Sequence, residues 1–424
     1  MNNVLFCVTC TICISCVNLG HLSSTSLAAP RSNTVVLTNA QHDTTPETTR
    51  ILGSETTPNC PTNWSVSKSV LRGGKQEGVE LITIDNGAMQ ITVVPTRGMS
   101  VLQVQHGDIR LGWDSPIPEI IHPQFINLES RNGLGWLEGF NEWMVRCGLE
   151  FAGAPGPDKF ITNTGDEAEM NLTLHGKIGN IPASHVEVAV DQKPPYRIHV
   201  CGVVHERTFH GPKLTLTTDI STTPGSDSLR ITDTVTNSSG SPQEMQLIYH
   251  TNYGRPLLEA GASIVVPASW VAPINEHSAK AIDAFAEYAA PQADFVEEVF
   301  FFQPLANREG LTEILLQNAA ADIGTTIRWN VKQLPYLSVW KNTISESDGY
   351  VTGLEPATGF PFHRSIERKL GRVPKLAAGE TRQFELDFGL HIGRDAVARQ
   401  QRWIADLQGD QTIEIRTAPP NGKP

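Results

Sequence analysis

A chain of 424 residues with 39% hydrophobic and 18% charged side chains is long enough to bury a full core and too apolar to be disordered. Its formal net charge of -12 opposes nucleic acid and anionic membranes, and no Lys/Arg cluster is large enough to overcome that field, so neither partner is expected. A neutral small-molecule ligand is compatible with it.

Val4 to Val17 is an uncharged apolar run of signal-peptide length, too short to span a membrane comfortably, and Ser26-Leu27-Ala28 supplies small residues for a cleavage site. Residues 1–28 therefore read as a secretory signal peptide, and the mature chain is expected to be periplasmic or secreted with no transmembrane span. No Lys or Arg precedes the run, and Cys13-Ile14-Ser15-Cys16, a poor lipobox, leaves a lipoprotein as a second reading. Beyond this segment only Cys60, Cys147 and Cys201 remain, an odd number that excludes a disulfide-built scaffold.

Residues 29–63 are rich in Thr, Ser, Asn and Pro, the composition of a disordered leader, and order is expected from Trp64. From there the pattern is that of strands. Leu81 to Ile84 and Met89 to Val94 flank Asp85-Asn86-Gly87 as a hairpin, and strands follow at Val186 to Val190, His199 to Val204, Leu214 to Ile220, Leu229 to Thr236 and Met245 to Tyr249. In Phe384 to His391 the apolar Phe384, Leu386, Phe388 and Leu390 alternate with polar residues, as in a half-buried antiparallel strand. Arg394 to Gln408 is the best helix, bounded by Gly393 and Gly409; Ala279 to Ala290 has helical composition without a clear stripe. Without repeating strand–helix units, residues 64–410 read as one large all-β domain, an antiparallel β-sandwich with few short helices, followed by a tail at 411–424.

Two tempting motifs fail. Gly133-Leu134-Gly135-Trp136-Leu137-Glu138-Gly139 places its third glycine one residue late for a dinucleotide fingerprint and lacks a strand-to-helix context. His205 and His210 are five residues apart, which turns the second off the face of the first and argues against a zinc helix. We expect no cofactor and no metal.

Three segments carry polar residues that loop chemistry does not explain. Leu172 to Asn180 ends a strand-like run in His175-Gly176; Gln246 to Gly254 delivers His250 on a buried-type strand between two tyrosines; and Gly349 to Pro361, GYVTGLEPATGFP, places Glu355 at a strand end, with Gly353 allowing close approach of the backbone. Taken singly, such a Glu is usually a solvated acid and such a His a satisfied core residue. Together, with Arg97, Arg131 and several Trp available, they form a candidate site.

At these residues the sequence resembles the aldose 1-epimerases (galactose mutarotases). The Glu355 segment with Leu376-Ala377-Ala378-Gly379-Glu380-Thr381 is similar to that family's closing region, His250 in YHTNYG to the segment of its catalytic acid, and His175-Gly176 to its second histidine, in the form of the sugar-phosphate epimerase branch. The resemblance is closest to the DUF4432 proteins, through Gly135 to Phe140 and Cys147-Gly148-Leu149, and spans Glu80 to Ile392. It implies a galactose mutarotase-like supersandwich with a carbohydrate site in its concave face, and a small-molecule sugar or oligosaccharide as partner. It also implies Glu355 as base, His250 as acid, His175 as a ligand-orienting group, and Arg131, Trp136, Asn252 and Tyr253 as sugar contacts. The order Asn252-Tyr253-Gly254 and the Pro356-Ala357 that follows Glu355 depart from the family's pattern, so the sugar contacts are expected to differ. A binding module without chemistry, and a lyase or hydrolase on the same sandwich, are the rival readings; only Glu355 is placed for the second, which would need two carboxylates.

Overall fold

The computed structural model describes residues 34–420. The expected signal peptide, with Val4 to Val17, Ser26-Leu27-Ala28 and Cys16, lies outside the described residues. Among the described residues no helix is long and apolar enough to cross a membrane.

Two largely antiparallel sheets face each other. A nine-stranded sheet runs from Val35–Asn39 through His185–Val190, Ile198–Arg207, Lys213–Thr222, Ser228–Asn237, Thr381–Ile392, Ile323–Asn330 and Leu311–Gln317 to Ser263–Val265. A thirteen-stranded sheet begins at Thr49–Leu52 and carries Met144–Leu149, Gln246–Tyr253, Val351–Ala357 and Tyr336–Asn342 side by side at its centre. The core lies between them. Phe384, Leu386, Phe388 and Leu390 alternate into it as the sequence pattern requires, and meet Ile82, Ile91, Leu247, Tyr249 and Leu354 from the other sheet.

One buried ion pair fixes the two sheets against each other. Arg146, on Met144–Leu149, makes a bidentate contact with Asp233, on Ser228–Asn237, and donates to Thr218 Oγ1 at 2.8 Å, while the Tyr249 hydroxyl donates to Asp233 at 2.7 Å. All of these groups are buried.

Gln246–Tyr253 and Val351–Ala357 are buried at every position, which a sandwich strand with one wet face would not be. Their second face carries Ile248, Val351 and Ala357 and is roofed by side chains such as Trp113, Trp136 and Phe140 from the connecting loops. Because strand side chains alternate, His250 and Glu355 fall on that roofed face and Tyr253 on the core face.

The helix Arg394–Gln408 forms as expected, with Val397 and Ile404 buried against Leu315. Ala279 to Ala290 does not form one; a short helix, Glu276–Ala279, and a single 3-10 turn, Ile282–Ala284, stand there, as the missing apolar stripe would lead one to expect. The composition of residues 29–63 proves misleading. Val35–Asn39 pairs with His185–Val190, and Thr49–Leu52 with Ser65–Val70, so one strap edges both sheets. The buried Lys68 ammonium pins it, donating to Leu37 O at 2.9 Å, Thr38 Oγ1 at 3.0 Å and Thr45 Oγ1 at 3.1 Å, and pairing with Glu80 at 2.7 Å. In the expected tail, Glu414–Ile415 adds parallel to Ala268–Pro273.

Candidate active site

A cavity of about 590 Å³ opens on the roofed face, and His175, His250, Glu355 and Trp136 all line it. That volume suits a sugar-sized ligand. Phe140 and Trp340 complete the wall around His250, with ring centroids 5.3 and 5.6 Å from the imidazole.

His250 Nε2 lies 3.2 Å from Glu355 Oε1. Both side chains come from adjacent strands, Gln246–Tyr253 and Val351–Ala357, so the pair is set by sheet register and not by a loop. On its other side His250 Nδ1 lies 2.7 Å from Asn252 Oδ1, and Asn252 Nδ2 donates to the Glu142 carbonyl at 3.0 Å. That second bond turns the amide oxygen toward the ring, so Nδ1 carries the hydrogen and donates, and the Nε2 lone pair of a neutral imidazole faces Glu355. Glu142 is in turn held by Arg97, which also donates to Gly139 O at 3.0 Å and clamps the roof loop onto the sheet. Gly353 makes room for the pair: a Cβ there would stand 2.8 Å from Glu355 Oε1 and 3.1 Å from His250 Cε1.

Burial pushes the Glu355 carboxyl up to about 8, with the charge of Glu297 adding to it. It pushes His250 down to about 4, against the opposing hydrogen bond to Asn252. The two shifts run in opposite senses and both favour the uncharged group, so in this closely apposed pair the proton belongs on Glu355 and not on His250. A histidine that starts as an acid would need the opposite shift; here removal from water outweighs the hydrogen bond to Asn252.

His175 sits in a turn with left-handed backbone, φ +60°, its N–H donating to Gly153 O at 2.9 Å and its carbonyl accepting from Gly148 at 3.0 Å. Its ring stands edge-on to Trp136 with centroids 4.8 Å apart and 5.5 Å from that of His250. Its Nδ1 is buried without a protein partner. Burial first, and His250 second, hold it well below the usual histidine range, so it is neutral. Gly176 admits close backbone packing, not a ligand, because a Cβ there would meet Phe151 O at 2.2 Å and Gly148 O at 2.5 Å.

Of the expected sugar contacts only Trp136 lines the cavity. Asn252 lies behind His250 as its hydrogen-bond partner. Tyr253 faces the inter-sheet core, where alternation along its strand sends it, with its ring 6.1 Å from that of Trp143. Arg131 is exposed on a turn with φ +50° and does not line the cavity, and Arg97 is spent on Glu142. Sequence reasoning missed Trp113, Trp340, Glu297 and Asp348, which reach the cavity from four separate places in the chain. It also missed Glu206, in the discarded His205–His210 segment. Its buried carboxylate accepts from Leu149 N at 2.7 Å and Glu150 N at 3.2 Å, bracing the backbone beside Gly148, which holds His175.

No curated protein matches the sequence. Among solved structures, a Klebsiella pneumoniae protein provisionally described as an aldose 1-epimerase is 41% identical, with a TM-score of 0.86 over 92% of this chain and 99% of that one. A galactose mutarotase-like protein of Clostridium acetobutylicum shares the fold, with a TM-score of 0.51 and 13% identity over 77% of this chain and 98% of that one. The model of the DUF4432 family, a domain of unknown function, matches residues 76–390, which take in most strands of both sheets and every residue that lines the cavity. The chain belongs to the DUF4432 family and has a galactose mutarotase-like fold.

Proposed function

We propose that this protein is a sugar 1-epimerase in which His250 and Glu355 interconvert the anomers of a cyclic aldose. The observation that carries the reading is the buried His250–Glu355 pair, 3.2 Å apart in the wall of a sugar-sized cavity. The similarity to the Klebsiella protein supports it.

Anomer exchange needs one group to take the proton of the C1 hydroxyl and another to protonate the ring oxygen. The C1–O5 bond then breaks, the aldehyde turns about C1–C2, and attack on its other face closes the ring while both protons return. No net proton is consumed. With the resting proton on Glu355, ring opening uses His250 as the acceptor and Glu355 as the donor, and closure exchanges them. The roles expected from sequence are therefore inverted in the first half of the cycle and restored in the second. His175, neutral and with Nδ1 unpartnered, is a hydrogen-bonding group for a sugar oxygen. The indoles of Trp136 and Trp340 offer faces on which sugar C–H groups pack.

The test is Glu355→Gln, which keeps size and hydrogen bonding. Anomer exchange followed by NMR on a panel of free sugars is expected to fall by about two to four powers of ten with little change in affinity. Tight sugar binding by the wild type with exchange at the spontaneous rate would hand the site to the rival reading of a binding module.

We also propose export to the periplasm or beyond the cell, on the strength of Val4 to Val17 and Ser26-Leu27-Ala28. N-terminal sequencing is expected to recover a chain starting near Ala29; an intact Met1 in the cytosolic fraction contradicts it.

A further inference from the structure

The mouth of the cavity carries two carboxylates that the proton chemistry leaves unused. Glu297 and Asp348 are both exposed there, and none of the described residues lining the cavity is Lys or Arg. Each acid is held in place beside an indole. Glu297 Oε2 accepts the Trp340 N–H at 2.8 Å. Asp348 accepts from the Ser345 hydroxyl, and its neighbour Gly349 packs so closely on Trp113 that a Cβ would stand 3.1 Å from the ring. Carboxylate oxygens and indole faces attract the same kind of group, a cation with N–H donors, and they repel a phosphate or a carboxylate. Arg255, which reaches the Glu346–Asp348 turn, is occupied by Glu346 at 2.6 Å.

The geometry points to an amino sugar as the substrate, its ammonium group received at the mouth by Glu297 and Asp348 while the anomeric carbon reaches the floor of the cavity. This rests on the reading of the cavity as a 1-epimerase site. It adds that Glu297 and Asp348 determine specificity by charge, without taking part in proton transfer.

Four forms of one hexose test it, the last three substituted at C6, away from the reacting C1: unmodified, 6-amino, 6-acetamido and 6-phosphate. Anomer exchange is measured by NMR at about pH 6.5, where an amine is protonated, and binding by quenching of the cavity tryptophans. The amino form is expected to show a kcat/KM about tenfold or more above the acetamido form, with the phosphate poorest. The double variant Glu297→Gln/Asp348→Asn brings the amino and acetamido forms toward parity, and so does about 0.5 M salt. Both residues are exposed, so the variant is expected to keep the wild-type unfolding midpoint. Catalysed exchange of an unmodified, acetamido or phosphorylated form as fast as that of the amino form overturns the amino-sugar inference and leaves the 1-epimerase reading standing. Preferential binding of the amino form without catalysed exchange of any form does the opposite. Binding of none of the four overturns both.

Discussion

A histidine held down to about 4 and a carboxyl raised to about 8, 3.2 Å apart, make a pair whose useful state is defined by its proton count. Below about pH 4 both groups are protonated and nothing accepts the C1 proton; above about pH 8 both are deprotonated and nothing protonates the ring oxygen. The profile of kcat/KM against pH is therefore expected to be a bell with limbs near those two values, whichever member holds the proton first. The same shift has a stability consequence. The folded pKa of Glu355 lies above its ordinary 4.5, so its burial is harmless below pH 4.5 and costs progressively more as the pH rises toward 8. Glu355→Gln removes that cost and is expected to stabilise the protein by about 2–3 kcal/mol at pH 7 and by almost nothing at pH 4.5, measured by thermal unfolding at both. His250 was legible in the sequence as a polar residue inside a run of strand formers, and Glu355 as a carboxylate expected at a strand end, although the strand runs on through Pro356 to Ala357. Asn252 was legible as a member of the site and not in its role: only the roofed face, on which positions 250 and 252 fall together, shows that it serves the imidazole.

At the scale of the strand, Gly353 is the point where local sequence and site meet. It faces the pair from the Glu355 strand, and its backbone needs no special conformation, so Gly353→Ala acts by sterics alone. The added methyl would displace Glu355 or His250, and kcat is expected to fall roughly ten- to a hundredfold. A change of only a few degrees in unfolding midpoint would locate the damage in the pair; global unfolding would refute that account. The strands of the sandwich were readable from alternation, as in Phe384 to Leu390. The strap at Val35–Asn39 and Thr49–Leu52 was not, because its two short runs, VVLTN and TRIL, are set in a Thr-, Asn- and Pro-rich stretch, bury little and take their order from the sheets they join. The cavity walls were hidden for a related reason. Trp113, Glu297, Trp340 and Asp348 have no common spacing, and only the folded chain brings them to one opening.

For the whole molecule, Arg146 and Asp233 set how the two sheets lie on each other, and Arg146 shares its strand with Val145 and Cys147, which back the site. Asp233→Ala would leave a buried guanidinium without its counter-charge and the Tyr249 hydroxyl without its acceptor, a destabilisation of about 3–5 kcal/mol in denaturant titration. Asp233→Asn, which keeps one acceptor oxygen, is expected to cost less. The strap has a consequence of another kind, in the order of assembly. Val35 is made early, yet its partner is Val188, so on a growing chain the first strand has nowhere to go until the segment near position 188 has emerged. Until then the strand itself stays open to a neighbouring chain, and Lys68 waits for the carbonyl of Leu37 that will receive it. That strand stays unseated while the segment up to position 188 is being made, and the nascent protein is most in need of a holding chaperone during that interval.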